Sequence, residues 1–144
     1  MGTKKRNEKV ERRNMQLDQQ EDITSYLSTM KMLLKNNKNF VVVSETKDKN
    51  FIFMYLYRLS KDDIKDCLLS IKESEFKEKI YSTHPDHLGE ELYVWSPTRT
   101  LVAQDGSMVD EKLYIKTYID EMKRLVVVIS FHRYGDIQIR RNKK

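Results

Sequence analysis

Acid–base and cationic side chains concentrate in residues 112–132, KLYIKTYIDEMKRLVVVISFH, which include Tyr114, Lys116 and His132. RNA can be cut without a metal: a base deprotonates the ribose 2′-OH, its oxygen attacks the adjacent phosphorus, and an acid protonates the departing 5′-oxygen. An imidazole titrates near neutral pH and can carry that proton. Cationic groups such as Lys116 and Arg133 could hold the phosphate, and Tyr114 could orient the 2′-OH or stack on a base. A histidine at a strand end is also, more commonly, an ordinary polar residue, so both interpretations stay open.

Two predicted strands would position these side chains. Residues Lys112–Ile119 alternate between apolar side chains on one face and mostly polar or aromatic ones on the other. Leu125–His132 is apolar on both faces until its end, which is typical of a central strand covered on both sides. The charged segment Asp120–Arg124 would form the turn of an antiparallel hairpin.

The register of this hairpin decides which side chains meet. Two registers fit: Ile119 opposite Leu125, or Asp120 opposite Val126. Both keep Tyr114, Lys116 and His132 on one face, because a shift of two residues preserves the alternation. The second register sets Tyr114 directly across from His132, and we expect both rings to face solvent.

Positive charge lies at the two ends of the chain. The net charge is +5, with +3 in residues 1–20, −4 in residues 21–122 and +6 in residues 123–144. Basic ends favour a polyanionic partner such as nucleic acid, although they are also typical of solvated tails, and for the N-terminal end the tail is the more common case.

Composition excludes several classes of protein. A chain of 144 residues with 39% hydrophobic and 34% charged residues is sufficient for one domain. The single cysteine, Cys67, cannot form an internal disulfide, and the longest apolar runs are too short to cross a membrane, so we expect a cytoplasmic protein. No phosphate-binding glycine loop occurs. The pair His84 and His87 with Asp86 lacks a third neutral ligand, so no metal or cofactor is expected.

The remaining segments predict one domain, residues 21–136, between a basic polar arm at 1–20 and a basic tail at 137–144. The arm would be frayed or a weak helical extension, and helical spacing begins at Glu21 with Asp22 as the N-cap.

Phe51–Tyr57 suits a strand by propensity and a short helix by spacing. Ser60 begins a capping box for the next helix. The other expected elements are a strand at Phe40–Val43, a helix at Glu73–Ile80, a loop at Ser82–Glu90, a strand at Leu92–Trp95, a flexible connection at Thr98–Asp110 and an edge segment at Ile137–Ile139.

The order of these pieces resembles the MqsR-type toxins of toxin–antitoxin modules, which are distant members of the RelE-like fold. The likeness covers about residues 23–132, and the order and spacing of its pieces carry it. The segments that match most specifically are Glu73-Ser74-Glu75-Phe76, Asp86-His87, Leu113-Tyr114-Ile115-Lys116 and Ile129-Ser130-Phe131-His132.

This resemblance implies an α+β domain, an antiparallel sheet flanked by helices, and it favours a helix at Phe51–Leu59. It implies a ribosome-independent endoribonuclease that cuts single-stranded mRNA without a cofactor and is silenced by a cognate antitoxin protein. The family's catalytic tyrosine corresponds to Tyr114, its closing lysine to His132, and its glutamine falls near Glu90. Its first lysine falls on Glu78, which reverses the charge, and the neighbouring Lys77 and Lys79 could substitute.

The sequence therefore predicts an endoribonuclease, and His132→Ala is expected to largely abolish cleavage. The alternatives are a non-catalytic nucleic-acid-binding module or a partner-binding module on the same fold. The predicted catalytic residues are Tyr114, His132, Lys116, Lys79 and Glu90, and the predicted RNA-binding residues are Arg133, Lys112, His87 and Lys77.

Overall fold

The computed structural model describes residues 2–36, 40–43, 48–83 and 85–135. They form an α+β fold, as predicted. Single 3-10 turns lie at Glu73–Glu75 and Pro85–His87. The helices and strands are α1 Gly2–Lys35, β1 Phe40–Val42, α2 Asp48–Leu56, α3 Lys61–Leu69, β2 Phe76–Tyr81, β3 Glu91–Trp95, β4 Thr98–Val102, β5 Met108–Asp120 and β6 Leu125–Arg133.

The sheet is built around the long strand β5. Its strand order is β1-β6-β5-β3-β2, and β4 pairs with the first half of β5. All pairings are antiparallel except β1 with β6, in which Phe40 lies opposite Val126. Because β3 and β6 flank the second half of β5, side chains on these three strands come together in the centre of the sheet.

The helices cover one face of the sheet. Apolar residues of α1 recur at steps of three and four, so they form one buried stripe that meets Trp95, Ile115 and Phe131 of the sheet. The opposite face carries a smaller cluster around Leu92, Tyr118 and Val127, to which no helical residue of the described chain contributes. None of the helices in the described ranges is both long and apolar enough to span a lipid bilayer.

Two of three predictions about the helices are confirmed, and one was wrong. Helix α1 begins at Gly2, so Asp22 lies inside it and the N-cap prediction was wrong. Helix α2 confirms the helical interpretation of residues 51–56. The capping box at the start of α3 is also confirmed: Ser60 Oγ accepts a hydrogen bond from the Asp63 amide at 3.1 Å, and Asp63 Oδ2 accepts one from the Ser60 amide at 2.8 Å.

Two segments differ from expectation. The predicted helix at Glu73–Ile80 was wrong, because after one 3-10 turn the chain becomes strand β2 and pairs with β3. The predicted flexible connection Thr98–Asp110 was wrong too: it forms β4, a tight turn and the start of β5. Gly106 has a φ of +88° in that turn, a conformation that glycine adopts readily. The predicted edge segment Ile137–Ile139 lies outside the described residues.

The buried side chain of Asn50, in α2, continues the hydrogen bonding of β6 where β1 ends. Its Nδ2 donates to the carbonyl of Ile129 at 2.8 Å and to that of Val43 at 3.2 Å. Its Oδ1 accepts from the Phe131 amide at 2.8 Å. A carboxamide offers the donor and acceptor of a peptide unit, so Asn50 takes the place that a further residue of a parallel strand would occupy.

An ion pair between the partly exposed side chain of Arg133 and the buried carboxylate of Glu111 joins the last residue of β6 to β5. Arg133 Nη2 donates to Glu111 Oε2 at 2.6 Å, and its Nε lies 3.0 and 3.1 Å from the two carboxylate oxygens. The Tyr57 hydroxyl donates to the same carboxylate. The guanidinium hydrogen bonds hold the pKa of Glu111 below its usual range, so the carboxylate is charged at neutral pH.

Candidate functional site

Tyr114 and His132 lie directly opposite each other on β5 and β6, as the second of the two predicted registers required. Their ring centroids are 5.4 Å apart and the rings are nearly parallel, at 16°. Near the turn, neither predicted register occurs, because Asp120 lies opposite Leu125. A β-bulge at Ile129 inserts one residue into β6 and restores the alignment that brings Tyr114 to His132.

The expectation that both rings face solvent was wrong for His132, which is only 3% exposed. Tyr114 covers one face of the imidazole, and Nδ1 lies 2.9 Å from the carbonyl oxygen of Arg133. Tyr114 is half-buried. Burial raises the pKa of Tyr114, and the negative charge of Glu78 raises it further, so its hydroxyl keeps its proton at neutral pH.

A second β-bulge turns Lys77 toward the same face as Tyr114. Phe76 pairs with Trp95 and Glu78 with Val94, so Lys77 is the extra residue of β2. Both Lys77 and Glu78 are exposed. In a regular strand neighbours point to opposite faces, whereas here the charges of both residues act on the pKa of Tyr114.

Tyr134 completes this group, and the sequence analysis did not identify it. Its ring centroid lies 6.0 Å from that of Tyr114, 5.0 Å from Lys77 Nζ and 4.5 Å from Lys112 Nζ. A hydrogen bond to Tyr134 raises the pKa of Lys77, which therefore stays charged. Tyr134 follows His132 by two residues, so continued alternation past the end of the predicted strand was the available signal. We call Lys77, Lys112, Tyr114 and Tyr134 the tyrosine–lysine patch.

The other predicted site residues are not part of the tyrosine–lysine patch. Lys116 is on the same face as Tyr114, opposite Ser130 and beside Val94. Lys79 is on the opposite face, with its Nζ 3.6 Å from Asp22 and 3.5 Å from Glu91. Arg133 is also on that opposite face, where it binds Glu111.

Glu90 belongs to a separate groove. This groove has a volume of about 480 Å³ at the end of the sheet, between α1 and the β5–β6 turn, and is rich in carboxylates. Its negative charge opposes phosphate binding there. The carboxylates that line this groove are Asp22, Glu90, Glu91, Asp120 and Glu121.

His87 ends a 3-10 turn, and its side chain, like all of His84, lies outside the described part of the structure.

Searches against protein-family models, curated proteins and solved structures find no match. Within the described ranges, no group of three or more His, Cys, Asp or Glu side chains could hold a metal ion.

The patch places two ammonium groups beside two phenol rings. Two exposed lysines converge on Tyr134, and a second phenol ring lies beside it. An ammonium over a ring is held by a modest attraction of about 0.5–1 kcal/mol at an exposed site. Either lysine side chain can therefore leave the ring of Tyr134 at a small cost in free energy.

Proposed function

We propose that this chain binds single-stranded RNA through the tyrosine–lysine patch. The observation that supports this most is the convergence of Lys77 and Lys112 on the ring of Tyr134, at 5.0 and 4.5 Å. Aromatic rings stack on bases that are not paired in a duplex, while lysines bind the phosphates on either side. The natural ligand would be mRNA in the cytoplasm.

Charge reversal in the patch is expected to weaken RNA binding. Lys112→Glu or Lys77→Glu should each raise the Kd for a fluorescent single-stranded oligoribonucleotide by about tenfold, because each removes a phosphate contact and adds a repulsion. Fluorescence anisotropy at several salt concentrations measures both the affinity and its salt slope. Tyr134→Ala should also weaken binding about tenfold, through lost stacking.

Lys123→Glu is the matched control, since Lys123 is an exposed lysine in the β5–β6 turn. It makes the same change in net charge, and we expect less than about a twofold effect from it. An equal loss of affinity in this control and in Lys112→Glu would contradict the patch. Affinity that stays constant between 50 and 200 mM salt would also contradict it, because phosphate contacts weaken steeply over about that range.

A second candidate function is metal-independent endoribonuclease activity, with a cognate antitoxin as protein partner. The phenol of Tyr114 favours it, because this group stacks on His132 and experiences the charges of both Glu78 and Lys77. Glu78 would accept the proton of the 2′-OH, whose oxygen attacks phosphorus to give a 2′,3′-cyclic phosphate. Tyr114 would give its proton to the departing 5′-oxygen, and Lys77 would stabilise the charge on the phosphate.

Cleavage is tested with end-labelled RNA in the presence of EDTA. Tyr114→Phe, which keeps the ring, is expected to slow cleavage by at least about tenfold because it removes the acidic proton. Glu78→Gln should have a similar effect, and the anisotropy assay checks that both variants still bind RNA. His132→Ala tests whether the imidazole carries a proton, because this variant should then largely abolish cleavage. RNA that stays intact with the parent protein would leave binding as the function.

A further inference from the structure

Helix α2 exposes a row of large apolar side chains. Phe51 is 65% exposed, Ile52 55%, Tyr55 67% and Leu56 42%. The pairs 51/55 and 52/56 are four residues apart, so the four side chains lie together on one side of the helix. The other side of α2 is buried, with Phe53 in the main core and Asn50 bonded to β6. We call this row the α2 stripe.

Opposite charges lie at the two ends of the α2 stripe. Asp48, the first residue of α2, precedes Phe51 by three residues and Ile52 by four, so it lies on the same side as the stripe. Arg58 follows the helix and is exposed, with its amide bonded to the Tyr55 carbonyl at 3.2 Å. Phe53, five residues from each, marks the midpoint between them.

We propose that the α2 stripe is a contact between two copies of this chain, with the two α2 helices antiparallel about a twofold axis that crosses the stripe at the level of Phe53. In that arrangement each stripe covers the other, as an isologous interface requires. Asp48 of one copy meets Arg58 of the second, and the same pair forms again at the other end. A parallel arrangement would bring like charges together instead.

The size of the stripe sets the strength of the association. A fully covered aromatic side chain buries about 150–250 Å², so the exposed fractions of the four residues sum to on the order of 400 Å² per copy. That is roughly half of the 800 Å² per partner that a standard interface buries. The dimer is therefore weak and depends on protein concentration. The stripe is on the helical face, so pairing leaves the tyrosine–lysine patch of each copy accessible.

Sedimentation velocity over about 1 to 500 µM protein measures this association, since these concentrations bracket a micromolar Kd. The mass should rise from 17.3 kDa toward twice that value as the concentration increases. Phe51→Glu and Tyr55→Glu should each leave a monomer throughout. Met122→Glu, at a residue that is 97% exposed outside the stripe, is the control and should associate like the parent chain.

Charge reversal separates this dimer from general apolar aggregation. Asp48→Arg puts like charges at both ends of the dimer, and so does Arg58→Asp, so each variant alone should associate at least about tenfold more weakly. An equimolar mixture of the two variants regains opposite charges at both ends and should associate again. A parent chain that stays monomeric at every concentration would overturn the proposal, and so would association that survives Tyr55→Glu or a mixture no stronger than its components.

Discussion

Replacing Asn50 by leucine is expected to lower the free energy of unfolding by about 3–5 kcal/mol. Leucine has a similar size but neither donates nor accepts. The carbonyl of Ile129 and the amide of Phe131 would lose their partner in the interior, and the carbonyl of Val43 would lose a longer bond. A buried polar group without a partner costs roughly 1–3 kcal/mol. Urea unfolding followed by circular dichroism measures the change in midpoint and slope.

The matched control is Asn36→Leu, the same substitution at an exposed asparagine just after α1. Its effect should stay within about 0.5 kcal/mol, as for most surface changes. If the two leucine variants unfold at the same urea concentration, the carboxamide of Asn50 does not replace a strand residue.

Removing the guanidinium of Arg133 is also expected to lower the free energy of unfolding substantially. Arg133→Met keeps an unbranched side chain but leaves the buried carboxylate of Glu111 without its cation. Breaking a buried ion pair costs about 3–5 kcal/mol, and because the side chain of Arg133 is 40% exposed, water screens the pair and we expect about 2 kcal/mol at pH 7.

The stability that Arg133→Met loses should depend on pH in a defined direction. Hydrogen bonds from Arg133 lower the pKa of folded Glu111, so the pair contributes fully above the ordinary glutamate value of about 4.3. That contribution is lost as pH falls through the lower pKa of the folded state, where the carboxyl becomes neutral. The difference between parent and variant should therefore narrow below about pH 4.3.

Arg124→Met provides the comparison, since Arg124 is exposed in the β5–β6 turn. Like Arg133→Met it removes one positive charge, but it breaks no buried pair. A Tm difference between Arg133→Met and the parent that is the same at pH 7 and pH 3.5 would exclude the charged form of Glu111 as the source of the effect.

The β5–β6 hairpin could be predicted from the sequence because the hydrophobic pattern of its two strands is local. Alternation in β5 and the apolar run in β6 left only two registers to consider, and one of them gave the pairing of Tyr114 with His132. The burial of His132 could not be predicted, because alternation assigns a face but does not say how closely a neighbouring ring covers it. The ring of Tyr114 that lies nearly parallel to the imidazole is one such neighbour.

Long-range strand pairing determined the secondary structure of the segments for which the sequence prediction was wrong. Residues 73–80 contain strong helix formers, yet β3 offers a partner edge, and tertiary pairing outweighs a propensity of a few tenths of a kcal/mol per residue. The bulge that brings Lys77 to Tyr134 is a property of two strands together. A single-strand pattern cannot show it, and so the sequence suggested Lys77 and Lys79 equally.

The parallel pairing of β1 with β6 sets an order in which the chain can fold during synthesis. Phe40 cannot pair until Val126 has been synthesised, which the ribosome adds 86 residues later. Asn50 has the same dependence, because its backbone partners on β6 follow it by about 80 residues. The β5–β6 hairpin needs no such delay, since its strands are adjacent in sequence. A nascent chain that stalls before β6 therefore exposes the apolar sides of β1 and α2 together, and such exposed apolar surface favours aggregation.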